Sequence, residues 1–166
     1  IGNTHPRGIC GSALIDAVAI LSQLKLIGLF GEILSGDDHV NLIGDIILTQ
    51  KDIYEFQLAK AAIASGLEIL ANNLSIPLSD IGQVYIAGGF GNYINLENVS
   101  ALGMIKLPTK RISKIGNTAL IGAKMFLFLD EKISNSILQK TRHVNLEGDP
   151  NFQDIYVENM SLWLNE

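Results

Sequence analysis

Gly88, Gly89 and Gly91 stand together in the segment VYIAGGFGNYIN, immediately after the apolar run from Gln83 to Ala87. Residues without a Cβ accept positive φ and let the backbone approach a ligand closely. The run before them reads as a short buried strand, because Val84 and Ile86 are β-formers and glycines close it. Open α/β sheets bind ligands just beyond the carboxyl ends of their strands. The chemistry offered here is therefore ligand binding by main chain, with a nucleotide as the natural candidate. Neither G-x-G-x-x-G nor G-x-x-x-x-G-K-S/T occurs, so the Rossmann and P-loop fingerprints do not apply. A tight strand-to-helix turn with no ligand accounts for the same glycines.

Other groups are candidates of the same two-sided kind. Gln57, Lys60 and Ala64 share one helix face at i, i+3 and i+7. A long cation beside a small residue can hold a polar ligand, and a solvated face explains the same pattern. Cys10 lies at a glycine-flanked helix start, where a thiol is activated, although a buried core filler is the commoner role for a free cysteine. Gly11 and Ser12 at that start can donate to a phosphate or form an ordinary N-cap. Asp16 either bonds across a cleft or simply favours the first helical turn. Asp37, Asp38 and His39 read as a solvated turn rather than a metal site. His5 and His143 have no partner legible in sequence, and no nucleophile–base arrangement for covalent hydrolysis appears.

These residues must be positioned by one domain spanning residues 1–166. The chain has 166 residues, 48% of them hydrophobic, enough for a sizeable core. The net charge is −5 without a basic stripe, which argues against nucleic acid as a partner. No apolar run is long enough for a membrane span. The single cysteine excludes an intrachain disulfide and any cluster built from several thiolates of this chain. It fits a reducing, cytoplasmic setting, as does the lack of a signal peptide. Ile1 is not a start methionine, so the chain is read as a fragment.

Periodicity predicts a helix capped by Ser12 and running to about Ile27, with Leu14, Val18, Leu21 and Leu24 as its core stripe. Val40–Ile43 and Asp45–Leu48 form a hairpin around Gly44. Thr49 and Asp52 open a helix reaching about Asn72 in a capping-box arrangement. Its buried stripe is Phe56, Ala59, Ile63, Leu67 and Leu70. A short helix is expected over Leu96–Ala101, and a strand over Arg111–Ile115. Gly116-Asn117-Thr118 opens an apolar helix to about Leu129, and a further helix covers Glu131 to Arg142. His143–Leu146 is assigned to a strand. Asp149-Pro150 starts a last helix packing through Phe152, Ile155, Tyr156 and Trp163.

In order, GICGSALIDAV, LTQKDIYEFQLAKAAIASG, VYIAGGFGNYINLENVSALGMI and IGNTALIGAKM resemble the carboxy-terminal domain of the reductive activators of corrinoid proteins. These belong to the actin-like ATPase (ASKHA) superfamily. The resemblance covers nearly the whole chain. It implies an α/β fold, one ribonuclease H-like lobe with a mixed sheet flanked by helices, and ATP with Mg²⁺ in a cleft between two lobes. It further implies an adenosine site bounded by Gly88, Gly89, Phe90 and Gly91 on one side and Gln57 and Lys60 on the other. Gln57 and Lys60 fall where chaperone relatives carry a Glu and a Lys on the ribose. Gln57 departs from that Glu. The helix from Gly116 to Met125 resembles the second connecting helix between lobes. A complete member carries a ferredoxin-like 2Fe-2S domain, a first lobe and most phosphate and metal groups on segments absent here.

The function so implied is the nucleotide-binding lobe of an ATP-dependent activator that returns Co(II) corrinoid proteins to Co(I). The partner is the corrinoid protein of a methyltransferase system. The alternatives are an activator of a 2-hydroxyacyl-CoA dehydratase, a small-molecule kinase lobe, and a non-catalytic interaction module. The first of these bridges a 4Fe-4S cluster with two cysteines per subunit, and only Cys10 is present here. The apolar helix after Gly116 calls for a partner surface. An isolated fragment is therefore expected to self-associate over Ala119, Gly122 and Ala123 and to lack ATPase activity.

Overall fold

The computed structural model describes residues 5–162. Trp163, expected on the packing side of the last helix, lies outside them. The element order is helix α1 (Gly11–Gln23), strands β1 (His39–Ile43) and β2 (Ile46–Thr49), and the long helix α2 (Gln50–Asn73). Then come β3 (Val84–Ile86), α3 (Leu96–Ala101), β4 (Ile112–Lys114), α4 (Thr118–Phe126), α5 (Glu131–Gln139) and α6 (Phe152–Glu158). The α/β class is as the sequence implies. The strands are distributed over two small sheets: β1 and β2 form an antiparallel hairpin, and β3 pairs with β4 in parallel. Among the described residues β3 has one strand neighbour, so it is not flanked on both edges as a central strand would be.

Local chemistry explains the boundaries. Gly44, with φ of +55°, turns the chain between β1 and β2. Thr49 then closes the capping box, its side chain accepting from the Asp52 N–H while the Asp52 carboxylate accepts from the Thr49 N–H. Cys10, not Ser12, is the N-cap residue of α1, and its side chain makes no capping bond. That helix stops at Gln23, earlier than Ile27, because Lys25 takes a left-handed φ of +57° and Ile27 turns back to bridge Ile33. Leu24 is consequently exposed rather than part of the stripe, which is formed by Ile15, Val18, Ala19 and Leu21. His143–Asn145 has no regular structure and Leu146–Gly148 is a 3₁₀ turn, so the strand expected there is absent; these residues find no edge to pair with.

The core gathers Val18, Ile27, Leu48, Ile53, Phe56, Val99, Leu102, Ile112 and Leu162 between α1, α2, α3 and the two sheets. Asp16 joins α1 to α3 by accepting from Asn98 Nδ2 at 2.7 Å. By contrast α4 buries no residue: Leu120, Ile121, Met125 and Phe126 are exposed, as are Leu127 and Phe128 just beyond it. Ile133, Ile137 and Leu138 of α5 are also exposed. No helix of the described residues is long and apolar enough to cross a membrane.

Candidate functional site

The parallel pair β3–β4 ends at the glycine turn. Gly88 has φ of +98°, a conformation that an L side chain strains to adopt, and its N–H donates to the Gly116 carbonyl at 2.7 Å. Two segments that the sequence shows as separate glycine turns are thus held together at one sheet end. Gly89 has helical backbone angles, and a Cβ built on it would meet nothing within 4 Å. Its free side is open space. Gly91 is glycine for a packing reason, since a Cβ there would lie 2.6 Å from Ile86 Cγ2. Lys114, which sequence reasoning did not single out, anchors the far side of the turn by donating to the carbonyls of Asn92 at 3.2 Å and Ile94 at 3.1 Å.

Phe90 links this turn to the start of α1. Its ring lies against Gly11, where a Cβ would stand 2.5 Å from Phe90 Cε2. The structure therefore brings Gly88, Gly89, Phe90, Gly91 and Gly11 into one neighbourhood. Ser12 faces Cys10, its Oγ 3.2 Å from the sulfur. Cys10 is exposed, contrary to the core-filler expectation. The Ser12 hydroxyl, and then backbone N–H groups at the helix start, hold the thiol below its ordinary range.

Between Phe90, Gly11 and α2 runs an apolar groove of about 340 Å³. Leu14, Phe56, Ala59, Ile63 and Met104 line it, with Asp52 and Glu55 at the same wall. Ala59 and Ile63 were expected in the core; they face this groove instead. The apolar periodicity of α2 was the available signal, but it does not distinguish a core stripe from a groove wall.

Gln57 and Lys60 go elsewhere. Both are buried, at 4% and 1% exposure, so the solvated-face reading fails. Their polar heads are directed at the end of α6: Lys60 Nζ donates to the carbonyls of Asn159 at 2.8 Å and Ser161 at 2.7 Å, and Gln57 Nε2 to that of Met160 at 3.0 Å. Burial, reinforced by the Lys106 charge, pushes the Lys60 ammonium down to about 8. In this geometry the pair satisfies main-chain carbonyls, and the groove beside Phe90 is walled by other residues of α2.

The remaining candidates are dispersed. Asp38 and His39 pair at 2.6 Å on an exposed turn, without Asp37. Among the described residues no group of three or more His, Cys, Asp or Glu side chains could hold a metal ion. The glycine turn and apolar groove thus offer open main chain and an apolar wall to a flat ligand. They do not supply the charge that phosphates with Mg²⁺ require.

The family model that describes the C-terminal domain of RACo, the ASKHA domain, matches residues 1–166. The corrinoid activation enzyme RamQ of Eubacterium limosum is 37% identical over 188 aligned residues, covering 96% of this chain and 32% of that protein. The Co(II) methylated amine-specific corrinoid protein reductase of Methanosarcina barkeri is 28% identical, covering 94% of this chain and 29% of that protein. A solved structure of a reductive activator for corrinoid, iron-sulfur protein superposes with a TM-score of 0.80 at 31% identity, over 95% of this chain and 29% of the other. The chain thus spans about a third of the length of the relatives it matches.

Proposed function

We infer the function from a settled premise: this chain belongs to the family of RACo C-terminal ASKHA domains. It serves as the nucleotide-binding lobe of an ATP-dependent activator that returns Co(II) corrinoid proteins to Co(I), acting on the corrinoid protein of a methyltransferase system in the cytoplasm. One observation carries the reading. At the end of β3, Gly88 supplies the positive-φ turn, Gly89 leaves an open face, and the apolar groove beside Phe90 begins within the same neighbourhood. A nucleoside seated there places its base in the groove and its sugar against the Gly88–Gly89 main chain. Asp52 and Glu55 stand at the groove wall as acceptors for donors of the bound nucleoside. Gly11 and Ser12, at the start of a thirteen-residue helix, turn N–H groups toward any phosphate that follows.

ATP, when bound, supplies the free energy for the uphill reduction. This lobe binds and orients it, and the metal and the remaining phosphate contacts belong to the rest of the longer protein. The 2Fe-2S centre belongs there too, because this chain has one cysteine. The exposed apolar residues of α4 and α5 are the surface for another lobe; left in water, they favour self-association.

The test is calorimetric titration of the longer protein with ADP and with ATP–Mg²⁺. Gly89→Val places a branched side chain in the open face, where its Cβ meets nothing within 4 Å. It is expected to weaken nucleotide binding at least tenfold while the thermal midpoint stays within a few degrees. Unchanged affinity in that folded variant removes the glycine turn from the site.

A further inference from the structure

Helix α6 is tied to α2 by side chains bonded to main-chain carbonyls. None of its residues is fully buried, and Phe152, Ile155 and Tyr156 are only half-buried. Several of its ties to α2 are polar. Tyr156 donates its hydroxyl to the Leu58 carbonyl at 2.9 Å, and Ser65 Oγ donates to that of Ile155 at 3.3 Å. Asn159 is buried and donates through Nδ2 to Ser65 Oγ and Glu68 Oε2, each at 3.3 Å, while its Oδ1 finds no partner. The carbonyls at and just beyond the end of α6, those of Asn159, Met160 and Ser161, are taken by Lys60 and Gln57. Such carbonyls have no intrahelical partner, and a cation at a helix C-terminus is favoured by the aligned peptide dipoles. Past this clasp, Leu162 inserts fully into the main core and its N–H donates to the Leu29 carbonyl at 2.7 Å.

We propose that the segment from Pro150 to Ser161 is a latch: a unit that opens and closes on α2 separately from the core, with Lys60 as the bolt and Gln57 beside it. The physical basis is the kind of contact that closes it. Core elements are joined by apolar packing, which is lost only when the core is lost. A helix held by side chains on main-chain carbonyls can exchange each bond for one with water, so its opening costs less than global unfolding. The orphaned Asn159 Oδ1 adds to this, since it regains a water partner when the latch opens. Opening frees the Gln57, Lys60, Ser65 and Glu68 face of α2, while Leu162 stays anchored in the core.

The test is native-state amide hydrogen exchange, read by mass spectrometry on the longer protein that contains this chain. In the wild type, peptides over 150–161 are expected to exchange faster than those of the core faces of α1 and α3. Lys60→Met, similar in length but unable to donate, is expected to speed exchange over 150–161 by about tenfold or more and to leave α1, α3, β3 and β4 unchanged. Should that variant fail to fold, Tyr156→Phe carries the test. It removes one half-buried bond and is expected to speed the same peptides several-fold. Exchange over 150–161 at the rate of the core, or a uniform rise across the domain in the variant that folds, overturns the latch.

Discussion

Gly11→Ala is expected to reverse its effect on stability according to what stands at position 90. Gly11 is the first residue of α1 and does not need positive φ, so alanine there gains helix propensity and restricts the unfolded chain. Alone, those effects stabilise by roughly 0.5–1 kcal/mol. The new Cβ, however, lies 2.5 Å from Phe90 Cε2, well inside contact distance. Overpacking of this kind costs about 1–3 kcal/mol. The ring edge is the far end of a half-exposed side chain and can swing toward solvent, which places the cost near the lower limit. Gly11→Ala alone should therefore be neutral to destabilising by about 1 kcal/mol. In the Phe90→Leu background the same change should stabilise by roughly 0.5 kcal/mol or more. Urea denaturation of the four proteins closes the double-mutant cycle, and a coupling energy of about 1 kcal/mol or more is expected. Additivity within about 0.3 kcal/mol would show that Phe90 does not rest on α1, and the groove wall described here would lose its lid. In the longer protein, Gly11→Ala should also alter nucleotide affinity, because the displaced ring is the one that borders the groove.

Lys60 gives a pH signature. Its folded-state value of about 8 lies below the ordinary 10.5, so between these values the unfolded chain binds more protons than the folded one. Stability should rise with pH across that window, by on the order of 3 kcal/mol at most; below pH 8 the cost of burying the ammonium is fully present. Lys60→Met should lack this rise, and parallel pH profiles for the two proteins in urea melts would refute the buried-charge account. Cys10 gives a chemical signature: its thiolate fraction at neutral pH is enlarged by Ser12. A disulfide reagent should react with it faster than with an unperturbed thiol, and Ser12→Ala should slow the reaction. Equal rates for wild type and variant would show that the 3.2 Å contact does not act on the sulfur.

Elements governed by local chemistry were legible in the sequence. The Thr49–Asp52 capping box, the hairpin at Gly44 and the span Leu96–Ala101 depend on residues within a few positions of one another. The gathering of Gly88, Gly89, Phe90 and Gly91 at the end of β3 was legible for the same reason. What was not legible depends on distant partners. On α2, apolar count marks Ala59, Ile63 and Leu70 as the inside of the helix. The structure buries Gln57, Lys60 and Ala64 instead. A buried lysine is tolerable only if acceptors meet it, and the acceptors are carbonyls about a hundred residues away. Main-chain carbonyls leave no mark in sequence, so the α6 clasp could not have been anticipated. Lys25 is a second case: a left-handed lysine ends α1 before Gly28, because the following residues bond back to Leu21 and on to Leu34.

The same distinction separates the two halves of the candidate site. The glycine turn is built within this lobe, since Gly88, Gly116, Ile86 and Lys114 hold it through contacts among themselves and with the adjoining main chain. Its geometry therefore does not wait for a ligand or a second lobe. The apolar surfaces of α4 and α5 are different: Leu120, Ile121, Met125, Ile133 and Ile137 have the character of a core without its burial. A helix apolar nearly all round is stable only against another surface. The relatives, of which this chain spans about a third, carry further chain of the kind that provides one. We accordingly expect nucleoside recognition to be written into this lobe. Phosphate and metal chemistry would then arise only where a second surface closes over α4.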